Sequence, residues 1–309
     1  MTSITVKWTF GGYKIYVFIL SGAPLYIRTF GGLAFQIQGN YHSFRSGKNM
    51  CELIAYLIHQ DNRPNFSESI MENIWPSNSS KKSSSALNTL IWRANKRLDE
   101  IPMQSRLRIR RQNEQVFLDL SSKISGTDFS ELGNIVPMIE TKFLTNQLLL
   151  SDDMISLCNI LENYSGEFLP ELQSDWVIIE REKYRSYFIR GCQIVTDFYS
   201  ANNLYEQAIY YTNKILRINP FRESTRRQLI WLYYMNGQRK EATQHYDQTI
   251  EFLNDELSVD PMPETKALSE LLKCDEKTDS LPNLAFQNIS RTAQSSRLKV
   301  LRELMLLTE

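Results

Sequence analysis

The sequence predicts a mainly α chain whose strands lie in its first 120 residues, and three observations predict it. Short apolar runs with a period near two occur within 25–40 and 106–120. Between them, apolar residues recur at helical spacing. From Phe129 onward every clearly periodic segment is helical, and two segments repeat at a fixed offset.

Leu25–Phe30 and Leu33–Ile37 read as two strands, separated by Gly31-Gly32 and closed by Gly39-Asn40. A helix over Lys48–Gln60 follows, with Met50, Leu53, Ile54, Leu57 and Ile58 on one side, and Asp61-Asn62-Arg63-Pro64 stops it. Ser67–Trp75 restarts with Ile70, Met71 and Ile74 inward, and Pro76–Ser80 is a loop. The Ser83-Ser84-Ser85 run offers an N-cap to a third helix reaching Asp99. Arg106–Leu120 alternates into a hairpin: Leu107, Ile109, Val116 and Leu118 mark its strands and Gln112-Asn113-Glu114 its turn. Two strands, three helices and a hairpin make the element order of a winged helix-turn-helix.

The second half carries an internal repeat. Asn203-Leu204-Tyr205-Glu206-Gln207-Ala208 and Gly237-Gln238-Arg239-Lys240-Glu241-Ala242 share an offset of 34 residues, kept by Val195/Leu229, Phe198/Leu232, Tyr199/Tyr233 and Leu216/Ile250. A 34-residue period with a fixed Ala after a short turn is the tetratricopeptide pattern, in which a small residue lets paired helices approach closely. Two such pairs cannot bury their faces alone, so helices from 129–163 and 176–192 are expected to cap them. The expected organisation is an N-terminal extension (1–24), a winged helix-turn-helix (25–120), an all-α tetratricopeptide-like domain (121–273), and a linker with a C-terminal helix (274–309). That last helix rests on Leu298, Leu301, Met305 and Leu306.

The 309 residues hold 35 bases and 35 acids, but the balance is uneven. Residues 25–120 carry 13 bases against 8 acids, whereas 121–309 carry 20 against 27. A basic front and an acidic back imply different partners. The third helix concentrates the difference. At about 100° per residue, Leu87, Ile91, Ala94 and Leu98 form one stripe with Leu90 at its margin, while Ser85, Thr89, Trp92 and Lys96 lie nearly opposite and Arg93 lies most of the way round. That stripe should seat the helix on Leu53, Leu57, Ile70 and Ile74. An α-helix fits the major groove of B-DNA, where Arg donates bidentately to guanine and Thr touches a thymine methyl. Arg93, Lys96 and Thr89 are therefore the candidates for base edges, with Ser85 and Asn88 at the helix entrance. Lys81, Lys82, Arg97, Arg106, Arg108, Arg110 and Arg111 are the candidates for phosphates, whose neutralisation drives sequence-independent affinity. Arg106, Arg108 and Arg110 share a strand face, so the hairpin lies along a backbone or dips into the minor groove. Trp92 either covers a phosphate or sugar or packs against the wing.

Other chemistries find little support. There is no GxxxxGK[ST]. His42, His59 and His245 are isolated, and Asp152-Asp153 and Asp255-Glu256 read as helix caps and solvated faces. The scattered Cys51, Cys158, Cys192 and Cys274 form no CxxC pair and read as reduced thiols. The apolar run Ile15–Leu20 is far shorter than the roughly 20 residues that span a bilayer and reads as a strand or an extension of uncertain start. No enzymatic activity, metal, cofactor or membrane contact is expected, and the compartment is the cytoplasm. The aromatics Tyr205, Tyr210, Tyr211, Trp231, Tyr233 and Tyr234 read as core, with a partner groove as the alternative.

Ala86-Leu87-Asn88, Ile91, Arg93 and Lys96-Arg97-Leu98 resemble the recognition helix of SARP-type activators, the antibiotic-regulatory class with an OmpR-type winged helix. Tyr164-Ser165-Gly166-Glu167-Phe168-Leu169-Pro170, Asp175-Trp176-Val177 and Glu180-Arg181 resemble the opening of the bacterial transcriptional activator domain. Asn219-Pro220-Phe221-Arg222-Glu223, Gly237–Ala242 and Asp260-Pro261-Met262-Pro263-Glu264-Thr265 resemble its later landmarks. The resemblance, over roughly 25–273, implies an activator that binds direct repeats in double-stranded DNA, two copies side by side. It also implies recruitment of RNA polymerase, partly through its sigma subunit, with the Trp75–Lys82 loop in the polymerase-facing position. The wing tip departs from the family in having Glu114-Gln115 in place of a Gly-Tyr pair. A competing function is a protein-interaction scaffold, for which duplex binding with a steep salt dependence is not expected.

Overall fold

The computed structural model describes residues 4–10, 13–19, 25–37, 39–61, 63–75, 84–101, 107–120, 124–145, 147, 149 and 151–274. In order these form β1 (Ile4–Phe10), β2 (Tyr13–Ile19), β3 (Leu25–Arg28), β4 (Ala34–Ile37), β5 (Asn40–Ser43), α1 (Lys48–His59), β6 (Asn65–Phe66), α2 (Ser67–Ile74), α3 (Ser84–Asp99), β7 (Leu107–Gln112), β8 (Gln115–Leu120) and β9 (Ile124–Thr127). Seven helices follow: α4 (Asp128–Leu144), α5 (Ser151–Glu162), α6 (Asp175–Ala201), α7 (Tyr205–Ile218), α8 (Glu223–Met235), α9 (Arg239–Leu257) and α10 (Pro263–Cys274). The expected fold class is what the chain adopts: a winged helix-turn-helix followed by helical repeats. The proposed C-terminal helix at 298–306 lies outside the described residues.

The chain divides into two compact units, and the division is not linear: residues 1–131 and 163–184 form the first, 132–162 and 185–309 the second. In the first unit, β5-β4-β3-β9 is a four-stranded sheet and β6-β8-β7 a three-stranded one, while β1 and β2 pair as an antiparallel hairpin. The apolar run at Ile15 is therefore a strand, as its length requires. Four strands were not expected, β1, β5, β6 and β9, and two of them show why. Gly39, at φ +83°, does not end the sheet but turns the chain into β5, whose Asn-Tyr-His-Ser sequence lacks any alternation because it is a largely exposed edge. β9 is only four residues long and pairs parallel with β3, a partner 100 residues away that no local pattern reveals.

The wheel drawn for α3 is reproduced: Leu87, Ile91, Ala94 and Leu98 are buried, together with Leu53, Leu57, Ile70 and Ile74 beneath them. The rest of the first core is aromatic. Phe168 is fully buried, with its ring centroid 5.0 Å from Tyr184, 5.9 Å from Phe129, 6.0 Å from the His59 imidazole and 6.3 Å from Trp176. Segment 163–184 is tied to the β3–β4 turn by backbone bonds, Gly31 N–H to Glu167 O at 2.9 Å and Leu169 N–H to Thr29 O at 3.0 Å. Gly166 suits this close approach, since a Cβ would lie 3.2 Å from the Gly31 Cα, tighter than ordinary contact. Two buried charges satisfy the polar backbone. The Asp128 carboxylate accepts from the N–H groups of Thr29, Phe30 and Phe129 and from the Thr29 hydroxyl, all at 2.7–2.9 Å. Burial pushes its pKa up, against the pull of those four donors. Arg181 donates to the carbonyls of Phe168, Leu169 and Leu172 at 3.0, 2.7 and 2.7 Å.

In the second unit the repeat is reproduced bond for bond. Asn203 (φ +58°) and Gly237 (φ +75°), 34 residues apart, take the left-handed turn between helices. Leu204 N–H bonds Tyr199 O and Gln238 N–H bonds Tyr233 O, each at 2.9 Å. Ala208 and Ala242 are both fully buried at the helix contact. The aromatics fall mainly in the core: Tyr211 is buried, Tyr205 and Tyr233 pack on the Ala208–Leu232 cluster, and Trp231 and Tyr234 on the Ile230–Leu268 cluster. The half-exposed Tyr210 donates to Glu162 at 2.8 Å. The stretch 129–163 supplies two helices. The helix expected over 176–192 is longer, running from Asp175 to Ala201 because no Gly-Pro or turn cluster interrupts it.

Two predictions follow from this core. Phe168→Ala should destabilise the first unit by about 3–5 kcal/mol, measured as a shift in the denaturant midpoint. His59 stands 3.1 Å from Glu180, yet burial outweighs that carboxylate and holds its pKa below the usual imidazole value. The unfolded chain then takes up the proton first, so stability is complete above about pH 6.5 and falls as pH drops below it. Thermal melting at pH 7.5 and 5.5 should show that loss, smaller in His59→Gln; an equal loss in both would remove His59 from the account.

Candidate nucleic-acid interface

α3 and the β7–β8 hairpin present the surface that the sequence singles out. Along α3, Ser85, Asn88, Thr89, Trp92, Arg93 and Lys96 are all exposed, and Arg97 is half-buried. The reason is the stripe on the opposite side: once Leu87, Ile91, Ala94 and Leu98 are seated, the 3.6-residue period turns these six outward. Thr89 returns its hydroxyl to the Ser85 carbonyl at 2.9 Å. The Lys96 ammonium sits 5.7 Å from the Trp92 ring centroid. Of the two roles open to Trp92, packing against the wing does not fit an indole that is 63% exposed.

The cations differ in how they are engaged. Among the described residues, Arg93 and Lys96 pair with no carboxylate, and both project from the exposed face. Arg97 pairs with Glu100 and also reaches the Arg45 carbonyl at 3.5 Å. Arg108 reaches both oxygens of Asp99 at 3.3 and 3.1 Å, and Arg110 pairs with Asp119. Arg108 and Arg110 share the exposed side of β7, opposite the buried Leu107 and Ile109. Arg111 is the most enclosed, its side chain 15% exposed. Its guanidinium donates to Ser84 Oγ at 2.6 Å, Asn88 Oδ1 at 2.9 Å, and Glu114 Oε2 and Asn113 O at 3.3 Å each. Lys81, Lys82 and Arg106 lie outside the described residues.

Two features of this surface escape a sequence count. The charge count over 25–120 includes Glu114 and Asp119 only as numbers and does not show that these are the acids that engage Arg111 and Arg110. These pairs are exposed at one or both partners, and such pairs contribute about 0–1 kcal/mol, so a phosphate can replace the carboxylate at little cost. The second feature is Asn95, which donates its Nδ2 to the Ile109 carbonyl at 2.9 Å and accepts from the Ile109 N–H at 2.8 Å. A short amide at the margin of an apolar stripe is the signal that would have found it.

The wing is also tied to α2. Asn65↔Val116 and Phe66↔Gln115 pair β6 with β8, and Ser67 donates its N–H to the Glu114 carbonyl at 2.7 Å. Asn113, at φ +54°, takes the left-handed position of the hairpin turn, a conformation Asn tolerates well. Among the described residues no helix is long and apolar enough to cross a membrane.

With Trp92 so exposed, Trp92→Ala should change folding stability by no more than about 0.5 kcal/mol. A larger loss in a denaturant titration would show that the indole is part of the core.

Residues 156–273 match the family model of the bacterial transcriptional activator domain. No curated protein matches the chain. Among solved structures, Mycobacterium tuberculosis EmbR in complex with a low-affinity phosphopeptide is similar with a TM-score of 0.59, covering 90% of this chain and 71% of that one. At 17% identity the likeness is one of fold. Both findings support the resemblance to SARP-type activators, the first over the helical repeats and the second over the arrangement of elements. The family landmarks also meet in space. Glu223 accepts from the Met262 N–H at 2.7 Å, and Arg227 donates to the fully buried Thr265 at 2.9 Å, so the Asn219–Glu223 and Asp260–Thr265 motifs hold one another.

Proposed function

We propose that this protein is a transcription regulator that binds double-stranded DNA through α3 and its wing and activates by recruiting RNA polymerase. The observation that carries the DNA-binding part is the face of α3, where Arg93 and Lys96 stand exposed beside Thr89 and Trp92 and, among the described residues, meet no carboxylate. Arg93 takes the guanine-reading role, since a planar fork donates two parallel bonds to O6 and N7. Lys96 and Thr89 flank it, and Ser85 lies at the helix start. Lys81, Lys82, Arg97, Arg106, Arg108 and Arg110 serve phosphates, three of them by exchanging a local carboxylate for a backbone oxygen. Glu114 at the wing tip favours a path along the backbone over entry into the minor groove, because a carboxylate there is repelled by the duplex.

Activation rests on the match to the bacterial transcriptional activator domain and on resemblance. RNA polymerase, in part its sigma subunit, is the partner, and the Trp75–Lys82 loop is the contact. Direct repeats in the operator seat two copies side by side, in the cytoplasm. No active site is proposed. The aromatic stripe that favoured a scaffold is mostly core, so that alternative has no separate observation behind it.

Duplex affinity of the full chain should fall steeply with log salt, by about 0.9 per neutralised phosphate. Arg93→Ala should lose about 1–3 kcal/mol of discrimination between a selected and a random duplex, while Lys82→Ala should weaken both alike. Equal losses on both duplexes for Arg93→Ala would refute its base-reading role, and retention of no duplex at low salt would favour the scaffold.

A further inference from the structure

We infer that Asn95 and Arg111 are positioning residues that lock α3 and β7 into one rigid reading head, and that Arg111 and Asn88 hold each other instead of nucleic acid. The inference rests on the regulator reading and reassigns two polar residues within it. Its basis is the geometry between helix and strand. In the order β6-β8-β7, β7 is an edge, so alternate peptide groups point away from β8 and need other partners. The outward group at Ile109 is taken whole by Asn95, donor to carbonyl at 2.9 Å and acceptor from N–H at 2.8 Å. Among uncharged side chains of this length an amide alone supplies both functions, as a peptide would.

Arg111, two residues further along β7, binds the opposite end of the same contact. All three guanidinium nitrogens are used: Nη1 on Ser84 and Asn88, Nη2 on Glu114, Nε on the Asn113 carbonyl. Ser84 is the first residue of α3, so this guanidinium fixes the helix start to the hairpin turn. A third tie, Arg108 to Asp99, meets the far end in the free chain; it is exposed and yields to a phosphate, so the lock rests on the other two. The three ties run in opposite senses along helix and strand: 84 and 88 to 111, 95 to 109, and 99 to 108. Helix and wing therefore cannot pivot independently, and the position of the wing on the duplex sets the depth and register of Arg93 in the groove. An arginine whose three nitrogens are all engaged and whose side chain is largely enclosed is a poor phosphate contact beside Arg110, which is 58% exposed.

The test uses the full chain, a duplex selected from a random pool, and a random-sequence duplex of equal length, titrated across about 50–200 mM salt. Arg111→Met should reduce the preference for the selected duplex about tenfold and leave the salt slope unchanged, because a positioning residue carries register and not phosphate charge. Arg111→Lys should behave like the methionine variant, since a single ammonium cannot span Ser84, Asn88 and Glu114. A slope reduced by about 0.9 in Arg111→Met, an unaltered preference, or full rescue by lysine would each overturn the assignment. Should Arg111→Met fail to fold, nitrogen–proton spectra of the unaltered chain decide. The Arg111 Nε–H and Asn95 amide signals should hold their positions when the selected duplex is added, while the Arg93 Nε–H signal moves; a shift of Arg111 matching that of Arg93 overturns the proposal. If the unaltered chain binds no duplex in a salt-dependent way, the regulator reading itself falls, a result separate from these.

Discussion

Two buried charges, Asp128 and Arg181, hold the turn on which the first unit is organised. A turn that passes through an apolar core carries peptide groups that cannot reach water, and each unsatisfied group costs about 1–3 kcal/mol. Asp128 meets the donors of Thr29, Phe30 and Phe129, and Arg181 meets the acceptors of Phe168, Leu169 and Leu172. The aromatic core of His59, Phe129, Phe168, Trp176 and Tyr184 can close only because these backbone groups are already engaged. The seating of α3 depends on the same closure, since α1 carries both His59 in that core and Leu53 and Leu57 beneath α3.

This accounts for motif residues that have no chemistry of their own. Glu180-Arg181 matters because the arginine threads back to three carbonyls of the preceding loop, and the glutamate faces His59. Gly166 matters because the loop backbone passes against Gly31. In the second unit, Gly191 lies where a Cβ would come within 3.0 Å of Leu161 and 3.2 Å of Val136. The landmark motifs of the second half thus answer to packing and peptide satisfaction, whereas Arg93 and Lys96 on the outer face of α3 meet no carboxylate among the described residues.

Much of the architecture was legible because periodicity and punctuation are local. The α3 stripe, its exposed face, the wing hairpin and the 34-residue repeat could be placed to within a residue or two, since burial follows a 3.6- or 2-residue period. The strands β5 and β9 were not legible: one is an exposed polar edge, the other too short for a pattern and paired far away in sequence. Asn95 was passed over for a related reason, because its partner is a main-chain group that no side-chain pattern advertises.

The residues by themselves determined the helices of the first unit, the wing hairpin, the seating of Leu87, Ile91, Ala94 and Leu98, and the outward placing of Arg93 and Lys96, because each depends on spacing along one helix or strand. Tertiary structure alone decided which cations are occupied by Asp99, Glu100, Glu114 or Asp119. It alone decided that 163–184 belongs with the winged helix and that α3 is bolted to β7. Those outcomes depend on distances between residues far apart in the chain, which no one-dimensional period encodes.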